Sequence, residues 1–109
     1  MTATEMLRRF RAGTLSPVTV AEQQLLRMER VEPQLNAFQH RAEAAAVLDQ
    51  ARASAQRWQD GSPAGPLDGV PVTIKDLVDV AGWPMRRGSA TSAAQPAAED
   101  SPCVARLRE

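Results

Sequence analysis

The sequence predicts an α/β fold in which this chain supplies the N-terminal helices and the first strand or strands of a mixed sheet. Three observations carry that expectation. Apolar stripes at helical spacing recur three times before residue 60, a turn-rich break covers 61–69, and a β-branched run follows it directly. With 109 residues the chain has the size of one small domain, which excludes a multidomain arrangement.

The first helix is expected over 3–12. Thr2-Ala-Thr-Glu5 has the form of a capping box, with Thr2 accepting the amide three residues on and Glu5 reaching back. Met6, Leu7 and Phe10 share one face, and Gly13 offers a left-handed stop. The second helix is expected over 17–32. Ser16 caps it, and Pro17 opens it where a missing N–H has no partner to lose. Val18, Ala21, Leu25 and Met28 form its stripe, and Pro33 is expected to end it. Residues 35–39, Leu-Asn-Ala-Phe-Gln, are short and weakly strand-like. The third helix, over 42–60, buries Ala44, Leu48, Ala51, Ala55 and Trp58, with Gly61 just past its end. Arg41, Glu43, Asp49, Arg52 and Arg57 lie off that stripe and read as a solvated outer face.

Gly61-Ser-Pro-Ala-Gly-Pro-Leu-Asp-Gly69 is dense in turn formers and reads as a surface loop. Val70-Pro-Val-Thr-Ile74 then predicts a strand over 70–75, with Pro71 near the start where a missing donor is tolerated. Residues 86–96 show no periodicity and read as loop. Ser101-Pro102 opens a last helix, expected to begin within 101–109, which meets no stop signal. A single strand cannot make a sheet. The chain is therefore expected to be the N-terminal part of a larger fold.

Composition narrows the function classes. Thirteen basic and thirteen acidic residues balance, which argues against nucleic acid or a polybasic membrane contact as partner. No run of about 18 apolar residues is present, and the N-terminus, Met-Thr-Ala-Thr-Glu-Met, carries an acid and lacks the apolar core of a secretory signal. The expected compartment is the cytoplasm. A lone Cys103 forms no internal disulfide, and a lone His40 builds no His-rich metal site. Cys103 reads as a small residue in the first turn of the last helix, Trp83 as an apolar plug, and Arg86-Arg87 as a solvated pair. Twelve of the thirteen cations are arginine, leaving Lys75 as the only lysine. Lysine can give up its proton where arginine cannot, and Lys75 closes the expected strand, where open α/β sheets meet their ligands. A plain ion pair with Asp76 or Asp79 is the alternative that local sequence leaves open.

Asp68-Gly-Val-Pro-Val-Thr-Ile-Lys-Asp-Leu-Val-Asp-Val-Ala-Gly-Trp-Pro84, followed by Gly88-Ser89, closely resembles the first block of the amidase signature family. The family pattern runs leucine, any residue, Gly-[IV]-Pro, a short β segment, Lys-Asp, a V-A-G-x-P turn and Gly-Ser. Flanking pieces match as well: Ser16-Pro-Val, Asn36-Ala-Phe38, the Ala-rich helix from 42, and Ala98 to Glu109. The resemblance implies that residues 1–109 are the N-terminal portion of one amidase signature domain, a mixed sheet between helices. It implies hydrolysis of a carboxamide C–N bond by a Ser–cis-Ser–Lys triad, with a small-molecule amide as substrate and no metal or cofactor. Lys75 matches the triad lysine, which takes a proton from the bridging serine. Asp76, Gly88 and Ser89 are expected in the shell around it.

The resemblance departs from this chain at the two triad serines, which belong to a Gly/Ser-rich stretch further downstream. Nothing here corresponds to that stretch, so the chain alone is expected to be inactive. Met85 stands where threonine is more usual. Two rivals remain open. The A subunit of glutamyl-tRNA amidotransferase shares the block but usually has asparagine where this chain has Leu77. A non-enzymatic helical interaction module would make Lys75 incidental. A homodimer of the full-length form is a further expectation from the resemblance.

Overall fold

The computed structural model describes residues 1–92 and 95–109. The described residues contain four helices: α1 (Ala3–Arg11), α2 (Pro17–Leu35), α3 (Ala44–Gln59) and α4 (Pro102–Arg108). They divide into two compact units, one of Met1–Leu35 with Ala42–Val72, the other of Asn36–Arg41 with Thr73–Glu109.

The first unit is built on α1, α2 and α3. Thr2 caps α1, its hydroxyl accepting the Glu5 N–H at 3.2 Å. The Glu5 carboxylate turns forward to Arg8, at 2.8 and 3.0 Å, rather than completing the expected box. The stop at Gly13 is a full Schellman turn: Gly13 N–H reaches Phe10 O, Thr14 N–H reaches Arg9 O, and Gly13 holds φ +66°. The same arrangement ends α3 through Gly61, where Gly61 and Ser62 donate to Trp58 and Arg57. Ser16 Oγ accepts the Val18 N–H at 3.2 Å, with Pro17 as the first residue of α2.

Helix α1 ends one residue earlier than expected and α3 is shorter by two residues at its start and one at its end, but the largest departure is in α2. Helix α2 carries Pro33 inside it and runs to Leu35 instead of stopping at 32. Pro33 falls in the last turn, where it costs one N–H bond to the carbonyl four residues before it. Asn36, with φ +45°, then breaks the path. The stripes face inward only in part: Phe10, Ala21 and Ala51 are buried, most of their other members are half-buried, and Ala44 is exposed. Val20 is buried as well, and the Phe10 and Trp58 rings meet at 6.0 Å.

The second unit is held by backbone pairing between 79–84 and 96–101. Asp79 N–H donates to Ser101 Oγ, and Ser101 N–H returns a bond to Asp79 O. Gly82 N–H donates to Ala97 O, and Ala97 N–H to Trp83 O. Asp100 accepts the Ala81 N–H at 2.7 Å and pairs with Arg108 of α4. Val80 and Val104 form its buried core.

The strand expected over 70–75 is not found among the described residues, nor is one at 36–38. Their β contacts are confined to the isolated bridges Ala81↔Ala97 and Pro84↔Pro96. A strand exists only through its ladder, and Val72 is instead exposed.

Candidate active-site region

Two chemical features stand out, one in each unit. In the first, the loop over 61–69 is tied down by Asp68. Its side chain is 3% exposed and takes a two-pronged contact from Arg57, at 2.6 and 2.8 Å. The Ala64 N–H adds a third bond at 2.9 Å, and Trp58 Nε1 donates to the Asp68 carbonyl at 3.1 Å. The Arg57 guanidinium, opposed by burial and helped by the Ala64 amide, holds the Asp68 carboxyl at about 2, below its ordinary 3.8. Arg57 thus leaves the solvated face to which its helical position assigns it. Gly69 follows with φ +82°, and a Cβ there would lie 2.6 Å from Ser54 Oγ and 2.8 Å from the Pro17 ring. Only glycine fits.

The second feature surrounds Lys75. An open groove of about 480 Å³ in the second unit is lined by Phe38, His40, Ile74, Lys75, Trp83 and Met85, among others. The His40 and Trp83 rings meet at a tilt, centroids 4.8 Å apart and planes at 58°. Lys75 itself is exposed, and its carbonyl accepts the Leu77 and Val78 amides at 2.7 and 3.0 Å, turning the chain sharply after the lysine.

Asp76 lies beside it in the same groove. Its two carboxylate oxygens accept the Arg86 and Gly88 N–H groups, each at 2.8 Å. Those amides, Gly88 foremost, hold the carboxyl below its ordinary range. Lys75 and Asp76, adjacent in sequence, both line the groove. Gly88 reaches the site through Asp76, whereas Ser89 does not line the groove among the described residues; its hydroxyl pairs with Thr91 at 2.8 Å. The ring pair of His40 and Trp83 has no local signature in the sequence, since 43 positions separate residues that meet only on folding. Among the described residues no group of three or more His, Cys, Asp or Glu could hold a metal ion.

The Amidase family model matches residues 19–109. The chain belongs to this family. An acylamidase of Rhodococcus erythropolis is 37% identical over 108 residues, which cover 99% of this chain and 22% of that protein. The A subunit of glutamyl-tRNA(Gln) amidotransferase from Chloroflexus aurantiacus is 39% identical over 89 residues, 82% of this chain and 18% of that one. Among solved structures, the inhibitor-bound form of a vestigial protein complex bearing on the origins of an s-triazine catabolic enzyme superposes with a TM-score of 0.89. It is 28% identical and covers 99% of this chain and 24% of its own. The chain thus spans about a fifth of the length of the amidase relatives it matches. Its fold is that of the matching segment of amidase signature proteins, with the mixed sheet itself not formed among the described residues. No described helix is long and apolar enough to cross a membrane.

Proposed function

We propose that this chain is the lysine-bearing part of an amidase that hydrolyses the C–N bond of a small, non-peptide carboxamide in the cytoplasm, without metal or cofactor. The observation that supports it is Lys75: the sole lysine of an amidase family segment, set at a groove beside a carboxylate already committed to backbone amides. Because Asp76 is engaged elsewhere, Lys75 is available as a proton carrier rather than as half of a fixed ion pair with it. In the reaction, Lys75 takes the proton of a bridging serine, which in turn deprotonates the serine that attacks the carbonyl carbon. The leaving nitrogen then receives a proton, and water releases the acyl group as the acid. Both serines, the oxyanion-binding amides and the cover that would favour a neutral lysine come from the rest of a longer protein.

The 37–39% identities to both an acylamidase and an amidotransferase A subunit keep one second reading in view, a subunit that passes ammonia onward. A longer protein that carries this segment separates the two. Hydrolysis of simple amides in isolation supports the first, and glutamine-dependent activity only with companion subunits supports the second.

The decisive variant is Lys75→Arg in that longer protein. It keeps the charge but removes the base, so hydrolysis should fall by several orders of magnitude with the fold intact by circular dichroism. Turnover within a few fold of normal would remove Lys75 from the chemistry. The 109-residue chain alone should neither hydrolyse amides above buffer nor take a serine-directed fluorophosphonate label.

A further inference from the structure

The turn over 86–89 is an unusual piece of backbone. Arg87 holds φ +55° and Gly88 φ +68°, two left-handed residues in succession, and Ser89 N–H closes the turn onto Arg86 O at 3.0 Å. For Arg87 that conformation is costly, because an L side chain crowds the following carbonyl. Something must hold it. Successive amides in such a turn point to one side and form a small concavity that accepts an anion. Here the anion is internal: Asp76 places one oxygen on each of the Arg86 and Gly88 amides. Charge from Arg86 adds to the same preference, and Lys75 is the other cation beside Asp76 in sequence.

We propose that Asp76 is a positioning residue whose ionised, two-oxygen contact with the 86–88 amides holds the left-handed turn and thereby fixes the Gly88-Ser89 segment to the backbone that carries Lys75. The catalytic consequence rests on the function proposed above; the clamp does not. A carboxylate is required rather than a polar side chain of the same shape. Asparagine has the volume of aspartate, yet it offers one acceptor oxygen and would turn an NH2 group against the second N–H.

The test follows the amide resonances of Arg86 and Gly88 in the isotopically labelled chain from neutral pH to about pH 2. Both should move together with a single midpoint below the ordinary aspartate value of 3.8. Asp76→Asn should abolish that titration and speed hydrogen exchange at Ser89 about tenfold, while the Trp58 indole signal of the other unit stays in place. Asp76→Glu, which keeps both acceptors on a longer arm, should restore part of the titration. Amides that do not titrate in the unaltered chain overturn the clamp, whatever the variants do. So does an Asp76→Asn chain with the amides unmoved. In a longer active protein, Asp76→Asn should lower kcat by roughly 100-fold with KM little changed, the loss expected from a displaced reacting group. An unchanged kcat would overturn the positioning role. A parent protein that hydrolyses no amide counts against the proposed function alone, since the titration decides the clamp by itself.

Discussion

Replacing Asp68 by asparagine should cost the first unit one of its strongest tertiary contacts, and the cost should depend on pH in a defined window. The native carboxyl sits at about 2 against an ordinary 3.8, held down first by Arg57. At about 1.4 kcal/mol per pH unit that difference corresponds to roughly 2.5 kcal/mol. Arg57 is 39% exposed, so solvent screens part of the interaction and about 1–2 kcal/mol is the working figure. The sign follows from linkage. A depressed folded value stabilises the fold above the ordinary carboxyl range, and that stability drains away as pH falls from about 4 through about 2.

Urea unfolding read by Trp58 fluorescence, in a Trp83→Phe background, measures it. Asp76 and Asp100 are also depressed, so their acid sensitivity is removed by taking the difference, at each pH, between chains with and without the Asp68→Asn substitution. That difference should be about 1–2 kcal/mol near pH 6 and shrink towards zero near pH 2. Carbon-13 titration of the Asp68 carboxyl gives the folded value directly, and Arg57→Gln should move it upward because burial then acts with less opposition. A difference that stays constant from pH 6 to pH 2 would refute the argument.

Gly69→Ala should destabilise the first unit by about 2–4 kcal/mol, from left-handed strain plus contact with the rigid Pro17 ring. Adding Ser54→Ala should recover part of the loss by removing the nearer atom, and a cost under about 0.5 kcal/mol in the single variant would show that the loop simply shifts. Thr2→Ala removes the α1 cap and should cost about 0.5–1 kcal/mol, seen as faster exchange of the Glu5 amide; an unchanged exchange rate would mean that water replaces the hydroxyl without penalty.

What the sequence reveals of the fold is what is encoded locally. Thr2, Ser16, Gly13 and Gly61 act within four residues of themselves, and each cap or stop stands where its spacing implies. Pro33 misleads because a proline so near the end of α2 removes a single N–H bond, to the carbonyl four residues before it, and the last turn tolerates that loss. The 70–75 strand misleads for a different reason. Val70-Pro-Val-Thr-Ile74 carries β propensity, but propensity describes fitness for a sheet and supplies no neighbour to pair with. Arg57 and Asp68 are eleven positions apart, across a Schellman turn and a Pro-rich loop, so helical periodicity assigns Arg57 to solvent while folding gives it a partner.

The candidate site shows the same limit. Lys75 and Asp76 are legible because they are adjacent and chemically distinctive, whereas the His40–Trp83 wall exists only through tertiary contact. The block that carries the family resemblance also proves to be two physical requirements in one run of sequence. Gly69 stands where the family pattern demands glycine, and backbone conformation and lack of space explain it without reference to chemistry. Asp68 occupies the position the pattern leaves open, and its ion pair with Arg57 fixes the same loop. Lys75 and Asp76 belong to the other compact unit, where Asp76 fills the anion site of the Arg86 and Gly88 amides and the proposed function assigns Lys75 proton transfer. Variants in the first half should therefore change stability, and variants in the second half should change chemistry. A substitution at Gly69 that altered turnover without altering stability would break that division.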